Sequence, residues 1–225
     1  MGKILAVGVP SIIMMAIGSV MNFGMNTICL SFDGIGETAS GVFGIYFKLQ
    51  SFFFMPLFGI NNAAISILAY NYGARKPKRI TGTLKRTVGT AIVVMLLGLL
   101  IFQLFPEMLM GFFSTSADAA DGMFVEMGVS ALRIISLMFP MAAVGIALGG
   151  ASFPAMGNGL YSTITSLCRQ LIVLLPAAYL LSLTGQINAV WWSFPIAEVV
   201  SLLVTLFLYG KVYRNKIKPL FAETE

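Results

Sequence analysis

The sequence predicts an all-α integral membrane protein, a single bundle of six transmembrane helices with both ends in the cytoplasm. Three observations lead to this fold class. The 225 residues are 58% hydrophobic and only 10% charged, whereas soluble domains carry about 25% charged residues. Six apolar stretches are long enough to span a bilayer, which takes roughly 20 residues per helix. Finally, the charges fall into two sets that match the two sides of a membrane.

Short connections with helix-stop signals separate the six predicted spans. Gly73 and then Pro77 interrupt the chain after the second span, Pro154 and Gly157 interrupt it before the fifth span, and Gly185 precedes the sixth. The predicted spans are residues 5–30, 41–70, 88–105, 131–151, 160–183 and 190–208, and residues 1–225 form one six-helix lobe.

The distribution of charge predicts the orientation of the bundle. Eleven cations fall on one side of a six-span protein, and the connections on the other side carry acidic residues only. The positive-inside rule makes the cationic side cytoplasmic, which predicts a multi-pass protein of the cell membrane in contact with anionic lipids, with no nucleic acid as partner. The cations are Lys3, Arg75, Lys76, Lys78, Arg79, Lys85, Arg86, Lys211, Arg214, Lys216 and Lys218, and the acids are Asp33, Glu37, Glu107, Asp118, Asp121 and Glu126.

A short amphipathic pattern precedes the third predicted span. Ile80, Leu84 and Val88 recur at four-residue spacing between cations. This pattern is typical of a helix that lies at the membrane interface, and a solvated loop is the alternative.

Four ionisable residues fall within the predicted spans, and their depth separates them. Lys48 and Arg133 lie toward helix ends, where long side chains can extend to the headgroups. Arg169 and Glu198 lie roughly 14 and 16 Å from the cytoplasmic ends of consecutive antiparallel spans, so we expect them at similar depth, inside the bundle and paired. They form either a structural ion pair or a site where Glu198 accepts a proton or cation.

Polar residues follow one face of each of the first two spans. Ser11, Ser19, Asn22 and Asn26 do so in the first span. Lys48, Met55, Gly59, Asn62 and Ser66 do so in the second. We take Asn22, Asn26, Lys48, Met55 and Asn62 as candidate residues of a substrate cavity. Hydrogen bonding between helices is the alternative and the commoner use of such residues.

Several classes of protein lack their signature here. The sequence has no histidine, no G-x-x-x-x-G-K-[ST] loop and no G-x-S-x-G motif, which argues against an enzyme. Cys29 and Cys168 are single residues in apolar runs, a pattern that suggests small buried side chains and no metal site.

Several stretches resemble the multidrug and toxic compound extrusion (MATE) family of transporters. They are MPLFGINNA at 55–63, AYNYGAR at 69–75, LRI at 132–134 with Phe139-Pro140, Arg169-Gln170, and VWWSFPIAE at 190–198. The resemblance implies a fold of twelve helices in two six-helix lobes and the export of organic cations and other xenobiotics in exchange for Na⁺ or H⁺. This chain is similar to the carboxy-terminal lobe, so the resemblance also implies a second six-helix lobe or a parallel homodimer as partner.

The resemblance leaves the coupling ion open. Sodium-coupled relatives place carboxylates in the first and fourth helices of this lobe. Here the first span has none and the fourth has none at depth, so Glu198 is the only deep carboxylate. We expect no cofactor beyond the coupling ion. The function predicted from sequence is therefore half of a multidrug antiporter. The alternatives are a flippase of the same superfamily for a lipid-linked sugar, and a non-transporting membrane fragment.

Overall fold

The computed structural model describes residues 2–113 and 122–222, and for residues 2–15 it describes the backbone only. The described chain is a bundle of helices, which confirms the all-α membrane fold. The helices are α1 (Gly2–Leu30), α2 (Gly36–Gly73), α3 (Pro77–Leu104), α4 (Pro106–Phe113), α5 (Gly122–Ser136), α6 (Phe139–Ala155), α7 (Gly159–Leu167), α8 (Leu174–Ser182), α9 (Ile187–Trp191), α10 (Ser193–Val212) and α11 (Lys218–Ala222). Two π-helical segments, π1 (Cys168–Val173) and π2 (Tyr213–Ile217), join α7 to α8 and α10 to α11.

Four of the described helical runs are long and apolar enough to cross a membrane. They are α2, α3, the run Gly159–Ser182 and the run Ile187–Ala222. Helices α5 and α6 qualify together as a fifth span that bends by 45°. Helix α1 has 29 residues, but its fully described part is the shorter apolar stretch Ala16–Leu30. The count of six spans and the cytoplasmic location of both ends stay predictions.

Helices α3 and α5 begin before the third and fourth predicted spans. Helix α3 begins at Pro77, because the fixed φ angle of proline suits the first position of a helix. Helix α5 begins at Gly122 and ends at Ser136. Pro140 has no backbone N–H to donate to the Ser136 carbonyl, which accounts for a break at this point. Hydropathy locates the apolar part of a helix and does not show how far its polar ends extend.

The amphipathic stretch before the third span is part of helix α3. Ile80 and Leu84 are buried, and they pack with Leu68 of α2 and with Val212 and Ile217 near the carboxyl end. The apolar face is therefore covered by protein, so the prediction of a separate helix at the membrane interface was wrong.

Three connections that the charge pattern assigns to one side meet at the same end of the bundle. The hydrophobic cluster there joins Ile80 of the basic connection, Met156 between α6 and α7, and Ile217 of the carboxyl-terminal segment. Lys216 also donates a hydrogen bond to the Met156 carbonyl. This arrangement agrees with the predicted segregation of charge. Asp118, Asp121 and the side chains of Lys3 and Ser11 lie outside the described residues.

The outer surface of the bundle is apolar, as a lipid environment requires. Helix α3 shows this with two distinct apolar faces. Its inner face buries Ala91, Met95 and Phe102, whereas Val93 and Leu97 point outward and are more than half exposed. Because large contiguous apolar surface is rare on soluble monomers, we assign the outer face to lipid or to another membrane-embedded chain.

Helix α6 lies at the centre of the bundle, against α2, α3 and α10. Its small residues permit this close packing. A Cβ atom added at Gly149 would lie 3.1 Å from Thr205 Cγ2, and one added at Gly145 would lie 3.5 Å from Glu198 Oε1. The glycines of α6 therefore bring α10, and with it Glu198, into the core.

Candidate functional site

Arg169 of π1 and Glu198 of α10 form an ion pair inside the bundle. The Arg169 Nε atom lies 3.3 Å from Glu198 Oε2, and the exposed fractions of the two side chains are 21% and 2%. The predicted pairing and inward orientation of these residues are confirmed. The same Nε atom lies 3.5 Å from Ser201 Oγ, one turn after Glu198 on α10.

The π-helical segment π1 contributes two polar side chains to one cavity. Arg169 and Gln170 are neighbours in the chain, and both line this cavity. Pro176 follows within one turn of π1 and has no N–H to donate to the Ile172 carbonyl. The wider π turn accommodates this missing bond, and such turns occur often at functional sites.

A cavity of about 340 Å³ opens beside the ion pair. Half of its lining residues have thioether or aromatic side chains, namely Met21, Met55 and Met138 with Phe47, Phe54, Phe58 and Phe194. Its polar wall consists of Gln50, Ser51, Arg169, Gln170 and Glu198. The volume lies at the lower end of the range for small-molecule sites, which are mostly apolar with a few polar groups that orient the ligand.

This lining suits a flat or bulky organic cation. Aromatic faces attract cations, thioethers adapt to irregular shapes, and the Glu198 carboxyl group provides a negative charge at the wall when it is ionised. In the structure this carboxyl group is paired with Arg169. A bound cation would therefore compete with Arg169 for Glu198.

The Glu198 carboxylate is only half satisfied. Oε2 faces Arg169, whereas Oε1 has no hydrogen-bond partner among the described residues. The bare backbone of Gly145 lies beside Oε1. A buried acceptor without a partner is costly, so Oε1 is poised to accept a proton, a hydrogen bond or a cation.

Of the five candidate cavity residues, only Met55 lines the described cavity, with 71% of its side chain exposed. The side chains of Lys48 and Asn62 are exposed and do not line it. Inside the bundle, the neighbouring Asn61 donates from Nδ2 to the Ile146 carbonyl of α6 at 2.9 Å. Which residues a substrate contacts stays a prediction.

Asn22 and Asn26 take part in hydrogen bonds along and between helices. Each donates from Nδ2 to the carbonyl one turn earlier, that of Gly18 or Asn22. The Ser40 hydroxyl of α2 donates to Asn26 Oδ1 at 2.8 Å, which joins α2 to α1. The hydrogen-bonding alternative therefore describes their contacts in this structure.

Sequence reasoning missed three polar residues of the cavity, namely Gln50, Ser51 and Gln170. Gln50 is a polar side chain inside a predicted span, the same signal that selected Lys48. Gln170 adjoins the deep Arg169, and its polar side chain inside a predicted span was the available signal.

Comparison with known proteins places the chain among transporters. The family model described as MatE matches residues 10–180. The multidrug export protein MepA of Staphylococcus haemolyticus is 23% identical over 217 residues, which cover 96% of this chain and 45% of that protein. MepA of Staphylococcus aureus is 23% identical over 92% of this chain and 44% of its own length. The chain thus spans about half the length of these relatives.

Solved structures of transporters share the fold. An inward-facing conformation of a multidrug resistance MATE family transporter of the MOP superfamily superposes with a TM-score of 0.86 at 22% identity, over 100% of this chain and 49% of that one. The corresponding outward-facing conformation gives a TM-score of 0.85 at 23% identity, over 97% and 47%. A MOP superfamily transporter from Pyrococcus furiosus, described as having a binding pocket of reverse polarity that suggests a different function, gives 0.83 at 23%, over 96% and 46%.

Proposed function

The chain belongs to the MatE family, whose members are membrane transporters and not enzymes, and from this premise we propose that it is one lobe of a multidrug exporter. It exports organic cations and other xenobiotics across the cell membrane in exchange for Na⁺ or H⁺, with both ends in the cytoplasm. The observation that carries the proposal is the buried Arg169–Glu198 pair at the wall of an aromatic and thioether cavity.

Exchange follows from competition for one carboxylate. Glu198 is the only carboxylate that lines the described cavity. An organic cation and the coupling ion both bind Glu198 in its ionised form, and only one of them can occupy it at a time. Binding of one therefore weakens binding of the other, and this coupling is reciprocal. The flippase alternative gains less support, because a carrier of a lipid-linked sugar would be expected to place several cations at its cavity. Arg169 is the single cation in this wall.

A second lobe completes the transporter in this proposal. The chain spans about half the length of its relatives, and large apolar side chains on α1 and α2, among them Phe23, Phe52 and Phe58, are exposed. The second lobe is either another six-helix chain or a second copy in parallel orientation. Two lobes that run in the same direction across the membrane are related by an axis along its normal, which a parallel homodimer can imitate.

Accumulation of a fluorescent organic cation in cells tests the proposed function. We expect cells that express the chain, alone or together with the amino-terminal lobe of a relative, to accumulate less dye than cells with empty vector. The Glu198→Gln variant should abolish this difference at equal expression, whereas the exposed Glu126→Gln variant should preserve it. Accumulation equal to that of empty vector in both arrangements would overturn the proposal, as would full export by Glu198→Gln.

A further inference from the structure

Tyr46 of α2 is a buried residue whose hydroxyl has no partner in the described part of the chain. Its side chain is 0% exposed. The ring packs edge-on against Phe194 of α10, with ring centroids 5.6 Å apart, and against Phe43, at 6.4 Å. Aromatic packing therefore fixes the ring, yet it leaves a desolvated hydroxyl whose burial costs free energy unless it finds an acceptor.

That acceptor lies on the face of α10 that Tyr46 contacts. Phe194 and Glu198 are four residues apart and so share one helix face. Because the Tyr46 ring contacts Phe194, one turn before Glu198, the Tyr46 hydroxyl lies in the neighbourhood of the Glu198 carboxyl group. Glu198 Oε1 is also buried without a partner among the described residues. Two unsatisfied groups of complementary chemistry, an O–H donor and a carboxylate acceptor, are thus buried in the same region of the bundle, with no hydrogen bond between them in this structure.

The two oxygens of Glu198 have different neighbours. Oε2 faces Arg169, whereas Oε1 lies beside the bare backbone of Gly145. Tyr46 does not line the cavity. Among the described residues, Arg169 of π1 is the charged partner of Glu198. Tyr46 of α2 packs on Phe194, one turn before Glu198, and Gly145 of α6 lies beside the carboxyl group.

We propose that Tyr46 is a positioning residue for the coupling carboxylate: its hydroxyl donates a hydrogen bond to Glu198 Oε1 when Glu198 is ionised. This inference rests on the proposed role of Glu198. Hydrogen bonds to a charged acceptor are about twice as strong as neutral ones. The bond links α2 to α10 when Glu198 is ionised and weakens when a proton neutralises the carboxylate. Protonation of Glu198 therefore alters the contact between α10 and α2, the helix that carries Met55 and Phe58.

Infrared spectroscopy of the purified full chain in lipid nanodiscs tests the proposal without transport. The carbonyl stretch of a protonated carboxyl group is followed against pH, and the band absent from Glu198→Gln belongs to Glu198. Tyr46→Phe keeps the ring and removes only the hydroxyl. Since a donated hydrogen bond favours the ionised form, we expect Tyr46→Phe to move the midpoint of this band upward by about one pH unit.

Tyr179→Phe is the matched control, because Tyr179 is exposed on α8 and its loss should leave the midpoint unchanged. In the unmodified chain, a phenol vibration should change at the same pH as the Glu198 band, which tests the contact without any variant of Tyr46. An unchanged midpoint in Tyr46→Phe, or a phenol vibration that ignores the Glu198 transition, overturns the inference. If the midpoint of the Glu198 band shifts in Tyr46→Phe but the unmodified chain does not export dye, the positioning role of Tyr46 stands and the proposed transport function fails.

Discussion

At the scale of single residues, Arg169 and Glu198 are two charges removed from water that remain because they face each other. Removal from water costs several kcal/mol per ion, and the attraction between the partners often no more than offsets that cost. A buried ion pair is therefore weak support for a role in stability alone. The position of this pair at the wall of a cavity favours a role in binding.

A double-mutant cycle measures how strongly the two charges depend on each other. Arg169→Met leaves the Glu198 carboxylate buried without its cation, so we expect a loss of about 3 kcal/mol in unfolding free energy. Glu198→Gln should cost less, because Arg169 is partly exposed at the cavity. The double variant should recover most of the loss. Denaturant unfolding of the purified chain in detergent gives all three values. Losses that simply add would contradict the pairing.

Depth was the residue-level property that sequence predicted best. The rise per residue of a helix is fixed, so counting from the span ends placed Arg169 and Glu198 at the same level. Rotation about the helix axis was harder. Asn62 was a candidate for the interior, but its neighbour Asn61 is the buried residue of the two. In a helix of 38 residues, a small error in the assumed rotation per residue accumulates along the helix. The neighbouring helices then determine which face is buried.

At the scale of elements, two irregularities shape the site. The span formed by α5 and α6 bends by 45° near Pro140, and π1 precedes Pro176. Proline in the sequence predicts that a helix can bend, but not whether the chain responds with a break or with a π turn. That choice depends on which neighbouring groups satisfy the freed carbonyl. The π turn before Pro176 was therefore beyond prediction from the sequence.

The close packing of α6 on α2 provides a test at this scale. A Cβ added at Gly150 would lie 2.6 Å from Asn61 Nδ2, the atom that donates to the Ile146 carbonyl. Gly150→Ala should therefore displace Asn61 and break this bond. We expect a loss of about 1–3 kcal/mol, seen as a lower melting temperature in detergent.

Gly59→Ala is the control for Gly150→Ala, since no heavy atom lies within 4 Å of a Cβ added at Gly59. Both changes add one methyl group to an apolar helix, so they differ only in what that group meets. Equal melting temperatures for the two variants would show that the contact between α2 and α6 is looser than the structure indicates.

At the scale of the whole molecule, charge and apolarity organise the bundle. The basic connection, the connection after α6 and the carboxyl-terminal segment share one end, as the segregation of charges predicted. Composition alone predicts a membrane-embedded helical bundle, because only helices and closed barrels satisfy their backbone hydrogen bonds in lipid. The position of a second lobe cannot be predicted in this way. It would cover residues such as Phe23 and Phe52, which are exposed in this chain, and no contact within the chain determines what covers them.

Binding of a fluorescent organic cation to the purified chain in detergent tests the central claim most directly, because it requires neither transport nor a second lobe. We predict saturable binding that weakens at least about tenfold in Glu198→Gln and is unchanged in Glu126→Gln, whose side chain is exposed and does not line the cavity. Equal affinity of the unmodified chain and Glu198→Gln would contradict the claim that this carboxylate receives the cation.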